Sequence, residues 1–281
     1  NNMNVKVSEV REKVKEACGK MAMVYHEDIL AALKKAKENE DGISRTAVNM
    51  LLDNAEIAEN EQIPICQDTG MVIAYVHLSQ EVHIEGGALE EAIQLGVEDG
   101  YKDYYLRASV VDDPLFKRVN TRTNTPAIIY YTFKETGPLE IELMAKGFGS
   151  ENMSRVAMLK PAQGVQGVKD FVLETIRLAG PNACPPMVVG VGIGGTFDYC
   201  ACLSKKALLR SLEQSHPDPE YARLEEELTQ QANELKIGPM GLHGKTTVLK
   251  VQIESFPTHI AGLPVAVNIC CHACRHERLV F

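Results

Sequence analysis

Residues 63–78 read Ile-Pro-Ile-Cys-Gln-Asp-Thr-Gly-Met-Val-Ile-Ala-Tyr-Val-His-Leu, and the pattern of the chain changes within this stretch. Before it, apolar residues recur at the helical period of about 3.6 residues. From Met71 onwards, short runs rich in β-branched and aromatic residues alternate with helical patterns. The sequence therefore predicts a mixed α/β fold that begins with a helical segment.

The segment before Pro64 is predicted to be helical. Apolar side chains follow the helical period from residue 7 to residue 37, with charged residues between them. Ser44 is the expected N-cap of a second helix, which ends before Pro64. We expect one domain over residues 1–281, with a helical part at 1–60 and an α/β part at 61–281.

Helical and strand patterns continue to the end of the chain, without an internal repeat. The predicted strands are 71–78, 127–132, 139–145, 187–191, 247–254 and 264–269, and the predicted helices are 89–105, 168–178, 204–212 and 220–235.

Composition limits the possible classes of protein. The chain has 281 residues, of which 45% are hydrophobic, so it can bury a substantial core. Its net charge of -9 argues against a nucleic-acid partner, because such proteins usually concentrate Lys and Arg on one face. No apolar run approaches the ~20 residues of a membrane-spanning helix, and no signal peptide is recognisable. We therefore expect a cytoplasmic protein that does not bind membranes and whose cysteines are reduced.

Three of the eight cysteines stand far apart in cramped surroundings. Cys66 lies in Ile-Pro-Ile-Cys-Gln-Asp-Thr-Gly, Cys184 in Gly-Pro-Asn-Ala-Cys-Pro-Pro and Cys271 in Asn-Ile-Cys-Cys-His-Ala-Cys. Proline and glycine fix the backbone where a side chain must point at a shared target. Three thiolates from distant segments suit a metal cluster, and an iron-sulfur cubane with three protein ligands has one open iron that can act as a Lewis acid.

The other cysteines have a structural interpretation. Cys18 lies on a helical face and is expected to be a small buried apolar residue. We interpret Cys200, Cys202, Cys270 and Cys274 in the same way. A zinc site or a redox dithiol remains open at the C-x-x-C pair 271/274 and at the C-x-C pair 200/202. Zinc at the pair 271/274 would make the chain a zinc-stabilised interaction subunit.

Two glycine-rich segments resemble phosphate-binding motifs. Gly190, Gly192 and Gly195 match G-x-G-x-x-G, which would suit a nicotinamide-dependent oxidoreductase. We favour a tight turn that packs backbone against backbone, because residues 196–199 are expected to delay the following helix. Residues 241–246 resemble the end of a Walker A loop, but Pro239 occupies the position of its first glycine.

Several separated motifs together resemble one family. They are Pro-Ile-Cys-Gln-Asp-Thr-Gly at 64–70, Lys-Gly-Phe-Gly-Ser-Glu-Asn at 146–152, the proline-rich segment of Cys184, and Thr258-His259 twelve residues before Cys271. In this order they resemble the class I iron-sulfur fumarate hydratases and L(+)-tartrate dehydratases, from about residue 7 to the end. Single-chain members continue into a second domain. The resemblance therefore implies the α subunit of a two-subunit enzyme.

The resemblance also implies roles for individual residues. Cys66, Cys184 and Cys271 would hold a 4Fe-4S cluster. Gln67, Arg107 and Gly149 would bind a dicarboxylate substrate, and Asp68 and His259 would transfer protons. The implied reaction is the reversible hydration of fumarate to L-malate, with the dehydration of L(+)-tartrate as the alternative. A β subunit would supply the remaining active-site residues, and the pair of subunits would dimerise.

Three of these residues have simpler structural interpretations. Asp68 could close an Asx turn before Gly70. Arg107 could bind the last carbonyl groups of its helix, and His259 could be a hydrogen-bonded core residue at the end of a strand.

Overall fold

The computed structural model describes residues 3–281, and it confirms the mixed α/β class. In chain order the elements are β1 (Met3–Lys6), α1 (Val7–Met23), α2 (Glu27–Asn39), α3 (Gly42–Glu61), β2 (Met71–Ser79), β3 (Val82–Glu85), α4 (Leu89–Asp103), β4 (Ile128–Lys134), β5 (Glu140–Lys146), α5 (Phe148–Glu151), β6 (Arg155–Leu159), α6 (Gly164–Ala179), β7 (Met187–Gly195), α7 (Phe197–Ala207), α8 (Pro219–Asn233), β8 (Val248–Thr258), β9 (Leu263–Cys270) and β10 (Arg275–Val280). Short 3-10 turns lie at Pro161–Gln163, Gly180–Ala183 and Pro239–Gly241.

The chain divides into two compact units. The first unit comprises residues 3–25, 55–148 and 275–281, and the second unit comprises 26–54 and 149–274. The sequence predicted one domain with a helical part at residues 1–60 and an α/β part at residues 61–281. This domain organisation stays a prediction. Among the described residues, no helix is long and apolar enough to cross a membrane.

A four-stranded sheet forms the centre of the first unit. Its strand order is β10-β5-β2-β4, with β2 antiparallel to β5 and parallel to β4, and β1 pairs separately with β3. Helices α1 and α4 share a hydrophobic core with this sheet. The two helices lie close together at Gly100, where an added Cβ would be 2.7 Å from the Cβ of Cys18.

A second four-stranded sheet, in the order β6-β9-β7-β8, forms the centre of the second unit. Strand β7 alternates valine and glycine, so its two faces differ. Val189 and Val191 belong to the core that contains α6 and α8. Gly192 faces α7, and a Cβ there would lie 2.0 Å from the carbonyl oxygen of Cys200. Glycine therefore allows the backbones of β7 and α7 to approach each other.

The prediction for the glycine-rich segment was partly wrong. The segment forms no tight turn, since β7 continues through the glycines to Gly195, and α7 begins at Phe197 without the expected delay. The expected helix at 204–212 is therefore shifted towards the N-terminus. The close packing of backbone on backbone is confirmed by the position of Gly192.

The prediction of helix over residues 7–37 is confirmed except at residues 24–26, where the helix is interrupted. Val24 and His26 have extended backbones, and they separate α1 from α2. The apolar period continues across the break, so periodicity alone could not reveal it. Ser44 is not an N-cap, because α3 begins at Gly42, and the acceptors of the Ser44 hydroxyl are Glu40 Oε2 at 2.6 Å and the carbonyl oxygen of Asp41 at 2.8 Å.

The remaining predicted elements are present within a few residues of their expected ends. Four short strands were not predicted, namely β1, β3, β6 and β10. Strand β10 pairs with β5, from Arg275 opposite Ala145 to Val280 opposite Glu140, which are far apart in sequence. Its existence depends on this distant partner.

Candidate active site

The loop of residues 66–70 lies in the first unit and leads directly into β2. Cys66 and Gln67 are exposed, Asp68 is half-buried, and Thr69 and Gly70 are buried. Gly70 has a φ of 85°, and a Cβ there would lie 2.8 Å from the carbonyl carbon of Ala145. Only glycine suits this position, since both the backbone conformation and the space exclude a side chain.

Three buried side chains hold this loop by its backbone carbonyl groups. The Tyr101 hydroxyl donates to the oxygen of Thr69 at 2.6 Å, and Asn124 Nδ2 donates to that of Gly70 at 3.0 Å. Arg275 Nη1 donates to the oxygen of Asp68 at 2.6 Å. Burial raises the pKa of Tyr101, so its hydroxyl stays a donor. The exposed thiol of the loop is therefore presented by a fixed backbone.

The Asp68 carboxylate accepts two backbone hydrogen bonds. Oδ1 accepts from Gly70 N at 2.9 Å, which is an Asx turn, and Oδ2 accepts from Phe148 N at 2.8 Å. The structural interpretation of Asp68 is thus realised in the fold. It does not exclude proton transfer, because an ionised carboxylate has about four acceptor positions and only two are used here.

Arg107 lies next to the same loop. Thr69 Oγ1 accepts from Arg107 N at 3.0 Å and donates to Arg107 O at 3.1 Å. Helix α4 already ends at Asp103, and within residues 3–281 no carbonyl oxygen of this helix accepts from the Arg107 guanidinium. The side chain is exposed. The fold therefore brings Arg107 and the Asp68-Thr69 segment together, and the helix-end interpretation of Arg107 was wrong.

In the second unit, strand pairing brings the segments of Cys184 and Cys271 together. Strand β7 begins at Met187 and β9 ends at Cys270, and the two are antiparallel, with Val188 opposite Cys270. The residues just before β7 and just after β9 must therefore lie at the same end of the sheet. His272 Nδ1 is 2.9 Å from the carbonyl oxygen of Cys184.

The Cys184 loop has an unusual backbone conformation. Cys184 has φ 49° and ψ 62°, in the left-handed region, which costs about 1–3 kcal/mol for a residue with a side chain. Its N–H donates to Pro181 O at 3.2 Å, and Met240 N donates to Pro185 O at 2.8 Å. Gly149 borders this loop, since a Cβ there would lie 3.7 Å from Asn182 O.

His259 lies just after the end of β8, in the second unit, and is exposed. The interpretation of His259 as a core residue was therefore wrong. Its Nδ1 accepts from Ala261 N at 3.0 Å, so the neutral ring carries its hydrogen on Nε2. This leaves a donor nitrogen on an exposed ring.

The eight cysteines are thiols in the structure and differ in burial. Cys66 and Cys184 are exposed, and Cys271 and Cys202 are partly exposed. The other four, Cys18, Cys200, Cys270 and Cys274, are buried. Burial raises the pKa of Cys18 to about 12, which makes its thiol a poor nucleophile and metal ligand.

The predicted site residues belong to both units. Cys66, Gln67, Asp68 and Arg107 lie in the first unit, and Gly149, Cys184, His259 and Cys271 lie in the second. Among residues 3–281, no group of three or more His, Cys, Asp or Glu side chains forms a metal site. The three-cysteine ligand set and the assigned roles stay predictions.

Sequence reasoning missed the side chains that hold the two loops. Tyr101, Asn124, Arg275 and His272 all bond to backbone carbonyl oxygens of residues far away in sequence. A local signal existed only for His272, which directly follows the predicted ligand Cys271.

A family model described as fumarate hydratase (Fumerase) matches residues 11–280. The chain belongs to the fumarate hydratase family. This confirms the resemblance seen in the sequence motifs and makes the chain a hydro-lyase. The match covers nearly all of both units.

Relatives of this fumarate hydratase family member carry a related name. The chain is 43% identical over 278 residues to a Methanocaldococcus jannaschii protein provisionally named L(+)-tartrate dehydratase subunit alpha, and the match covers 96% of each chain. It is 33% identical over 284 residues to the L(+)-tartrate dehydratase subunit alpha of Escherichia coli K12, covering 99% of this chain and 93% of the relative. The protein of that name from Shigella boydii serotype 4 has the same identity and coverage.

Proposed function

We propose that this chain is the α subunit of an iron-sulfur hydro-lyase that catalyses the reversible hydration of fumarate to L-malate. The observation that carries the proposal is the link between Thr69 and Arg107, which unites an exposed guanidinium with a loop that contains Cys66 and Asp68. The groups that we assign to carboxylate binding, proton transfer and cluster ligation would thus share one part of the fold. An iron-sulfur hydro-lyase that acts on an unsaturated dicarboxylate would use all three kinds of group.

The chemistry of the thiols fits a cluster. Cys66, Cys184 and Cys271 are all accessible to solvent at least in part, whereas the four buried cysteines have no comparable access. A 4Fe-4S cluster held by these three thiolates would supply an open iron that acts as a Lewis acid on the substrate hydroxyl. Such a ligand set needs no side chain other than cysteine.

Arg107, Gln67 and Gly149 would bind the substrate. A guanidinium forms two parallel hydrogen bonds with a carboxylate, which orients the dicarboxylate and neutralises part of its charge. The exposed amide of Gln67 can both donate and accept. Gly149 is exposed and has no side chain, so its backbone is open to a ligand.

Asp68 and His259 would transfer protons. Asp68 is oriented by the N–H groups of Gly70 and Phe148 and keeps acceptor capacity on both oxygens. The exposed Nε2 of His259 carries the ring hydrogen and can donate it. A well-placed general acid or base contributes about 10²- to 10⁴-fold to the rate.

The proposed enzyme includes a β subunit. The relatives named above are alpha subunits by name, which supports a partner chain that supplies the remaining active-site residues. We further propose that the α and β subunits form a pair that dimerises, and that the enzyme is cytoplasmic.

L(+)-tartrate is the second candidate substrate, favoured by the names of the same relatives. Malate and tartrate share both carboxylates and the departing hydroxyl, so the groups assigned to Arg107 and Asp68 serve either molecule. The two differ in one additional hydroxyl. A site with a hydrogen-bonding partner for that hydroxyl would discriminate strongly between them.

The test is to prepare the α and β chains separately and together under anaerobic conditions, after reconstitution with iron and sulfide. Fumarate hydration and the dehydration of L-malate and L(+)-tartrate are then measured for each chain and for the mixture. We expect activity only in the mixture, with L-malate preferred. A preference for L(+)-tartrate would replace fumarate hydratase by tartrate dehydratase. Full activity of the α chain alone, or no hydro-lyase activity in the iron-loaded mixture, would contradict the proposal.

A further inference from the structure

The hydrogen bond between His272 and Cys184 connects the segments of two proposed cluster ligands. His272 directly follows Cys271, and its Nδ1 lies 2.9 Å from the backbone oxygen of Cys184. A carbonyl oxygen can only accept, so Nδ1 must carry the hydrogen. The bond is shielded from water, since His272 is 8% exposed.

The bond acts on a residue whose conformation needs support. The left-handed backbone of Cys184 persists only where its surroundings determine it. On one side, Met240 N donates to the next carbonyl group, that of Pro185. On the other side, the His272 side chain donates to the carbonyl oxygen of Cys184 itself. A change at residue 272 therefore alters the support of the Cys184 backbone without removing any thiol.

Strand pairing makes this link direct. The β7 and β9 register, with Val188 opposite Cys270, fixes the two segments at one end of the sheet. The imidazole spans the remaining gap between the backbones. The His272 side chain thus ties the backbone that carries the Cys184 thiol to the Cys271 segment.

We propose that His272 is a positioning residue that locks the Cys184 loop to the Cys271 segment, so that both thiols are presented together for the cluster. This inference rests on the proposed function, because it assumes that both cysteines are ligands. His272 itself binds neither iron nor substrate in this role. It acts through the backbone of Cys184.

Two substitutions separate the hydrogen bond from the volume of the side chain. In His272→Asn, the amide Nδ2 occupies a position similar to Nδ1 of histidine and can donate to Cys184 O. In His272→Leu, the side chain fills similar space without a donor. The matched control is His83→Leu, which removes an exposed histidine from β3 in the first unit.

The experiment uses the full chain after anaerobic reconstitution with iron and sulfide. Iron and sulfide per chain, the rate of iron release to a chelator and the electron paramagnetic resonance spectrum of the reduced cluster are measured. Circular dichroism and thermal unfolding of the iron-free variants check that they fold. For partners that orient metal ligands, losses of about 10- to 100-fold in metal affinity are usual. We expect His272→Leu to release iron faster by about that factor, with an altered spectrum, and His272→Asn to recover most of the wild-type behaviour.

The outcomes distinguish this inference from the proposed function. A wild-type chain that binds no iron would overturn the cluster, and the proposed function with it. The positioning role alone would be overturned if the wild-type chain binds iron and the folded His272→Leu variant retains iron equally well. The variant would then also give the same spectrum as the wild type. The role is also overturned if His272→Asn folds but loses iron as His272→Leu does, or if His83→Leu has the same effect.

Discussion

Arg275 Nη1 donates a 2.6 Å hydrogen bond to the backbone oxygen of Asp68, across 207 residues of sequence. Arg275 is 5% exposed, and a Cβ added at Gly147 would lie 3.2 Å from its Nη2. A residue that had no role in the sequence motifs thus holds the loop that carries Asp68 and Cys66.

Arg275→Lys should weaken this loop, because a lysine ammonium cannot reproduce the two-pronged guanidinium. A hydrogen bond from a charged group contributes about 1.5–3 kcal/mol. We expect the free energy of unfolding to fall by roughly this amount, measured by urea denaturation of the iron-free chain. The control is Arg278→Lys on the same strand, whose exposed ion pair with Glu140 should contribute little. Equal stability of both variants would contradict the stabilising role of the hydrogen bond from Arg275 to Asp68 O.

Arg107→Lys should weaken substrate binding. Loss of the bidentate contact with a carboxylate, at about 1.5–3 kcal/mol, corresponds to roughly a 10- to 100-fold rise in KM of the assembled enzyme. The unfolding transition should stay unchanged because the side chain is exposed. Arg45→Lys, also exposed, serves as the control for a general effect of the substitution. An unchanged KM would remove Arg107 from the substrate site.

The cluster ligands can be tested by iron binding. The wild-type chain should bind about four irons, and Cys66→Ser, Cys184→Ser and Cys271→Ser should each lose most of this iron. Cys202→Ser is the matched control, since Cys202 has the same partial exposure as Cys271. Iron loss in the Cys202 variant together with retention in one of the three others would show that the ligand set is wrong.

Cys18 should be unreactive in the folded chain. Its pKa is raised by burial to about 12 from 9.0, so the thiol stays protonated at pH 8. Because the folded pKa is raised, the associated stability is fully present below about pH 9 and is lost as the pH rises towards 12. With iodoacetamide at pH 8, Cys66 and Cys184 of the iron-free chain should react first, and Cys18 only after unfolding. Rapid labelling of Cys18 without unfolding would contradict its burial.

Gly192→Ala should disrupt the second unit, because the added Cβ would lie 2.0 Å from the carbonyl oxygen of Cys200. Overpacking of this kind costs about 1–3 kcal/mol or more. The expected result is a lower midpoint in urea denaturation or a failure to fold. Gly262→Ala is the control, since a Cβ there meets nothing nearer than 3.9 Å. If Gly192→Ala folded stably and merely bound a dinucleotide less well, the nucleotide interpretation would be favoured.

Much of the secondary structure could be predicted because its pattern is local. Strand β2 and helix α4 carry their own periodicity, and their ends were expected within a few residues. The break at residues 24–26 and strand β10 could not be predicted. The first interrupts a continuous apolar period, and the second exists only through pairing with β5.

The candidate site was predictable to a similar extent. The motif around Cys66 stood out by residue type and spacing, whereas Arg107 was singled out only through the family resemblance. The hydrogen bond that joins Thr69 to Arg107 did not stand out, since a threonine hydroxyl can bond to many backbone groups and only the fold selects one.

The sequence by itself determined the kinds of group available for chemistry, namely separated thiols, a carboxylate, a guanidinium and an imidazole, and the family to which they belong. Tertiary structure alone decided which side chains hold the two loops, with Tyr101, Asn124 and Arg275 bonded to the loop of Cys66 and Asp68, and His272 bonded to the loop of Cys184. The physical reason is that each of these bonds ends on a backbone carbonyl oxygen. Every residue has such an oxygen, so residue identity does not encode the partner, and only strand register and backbone conformation bring the donor within reach.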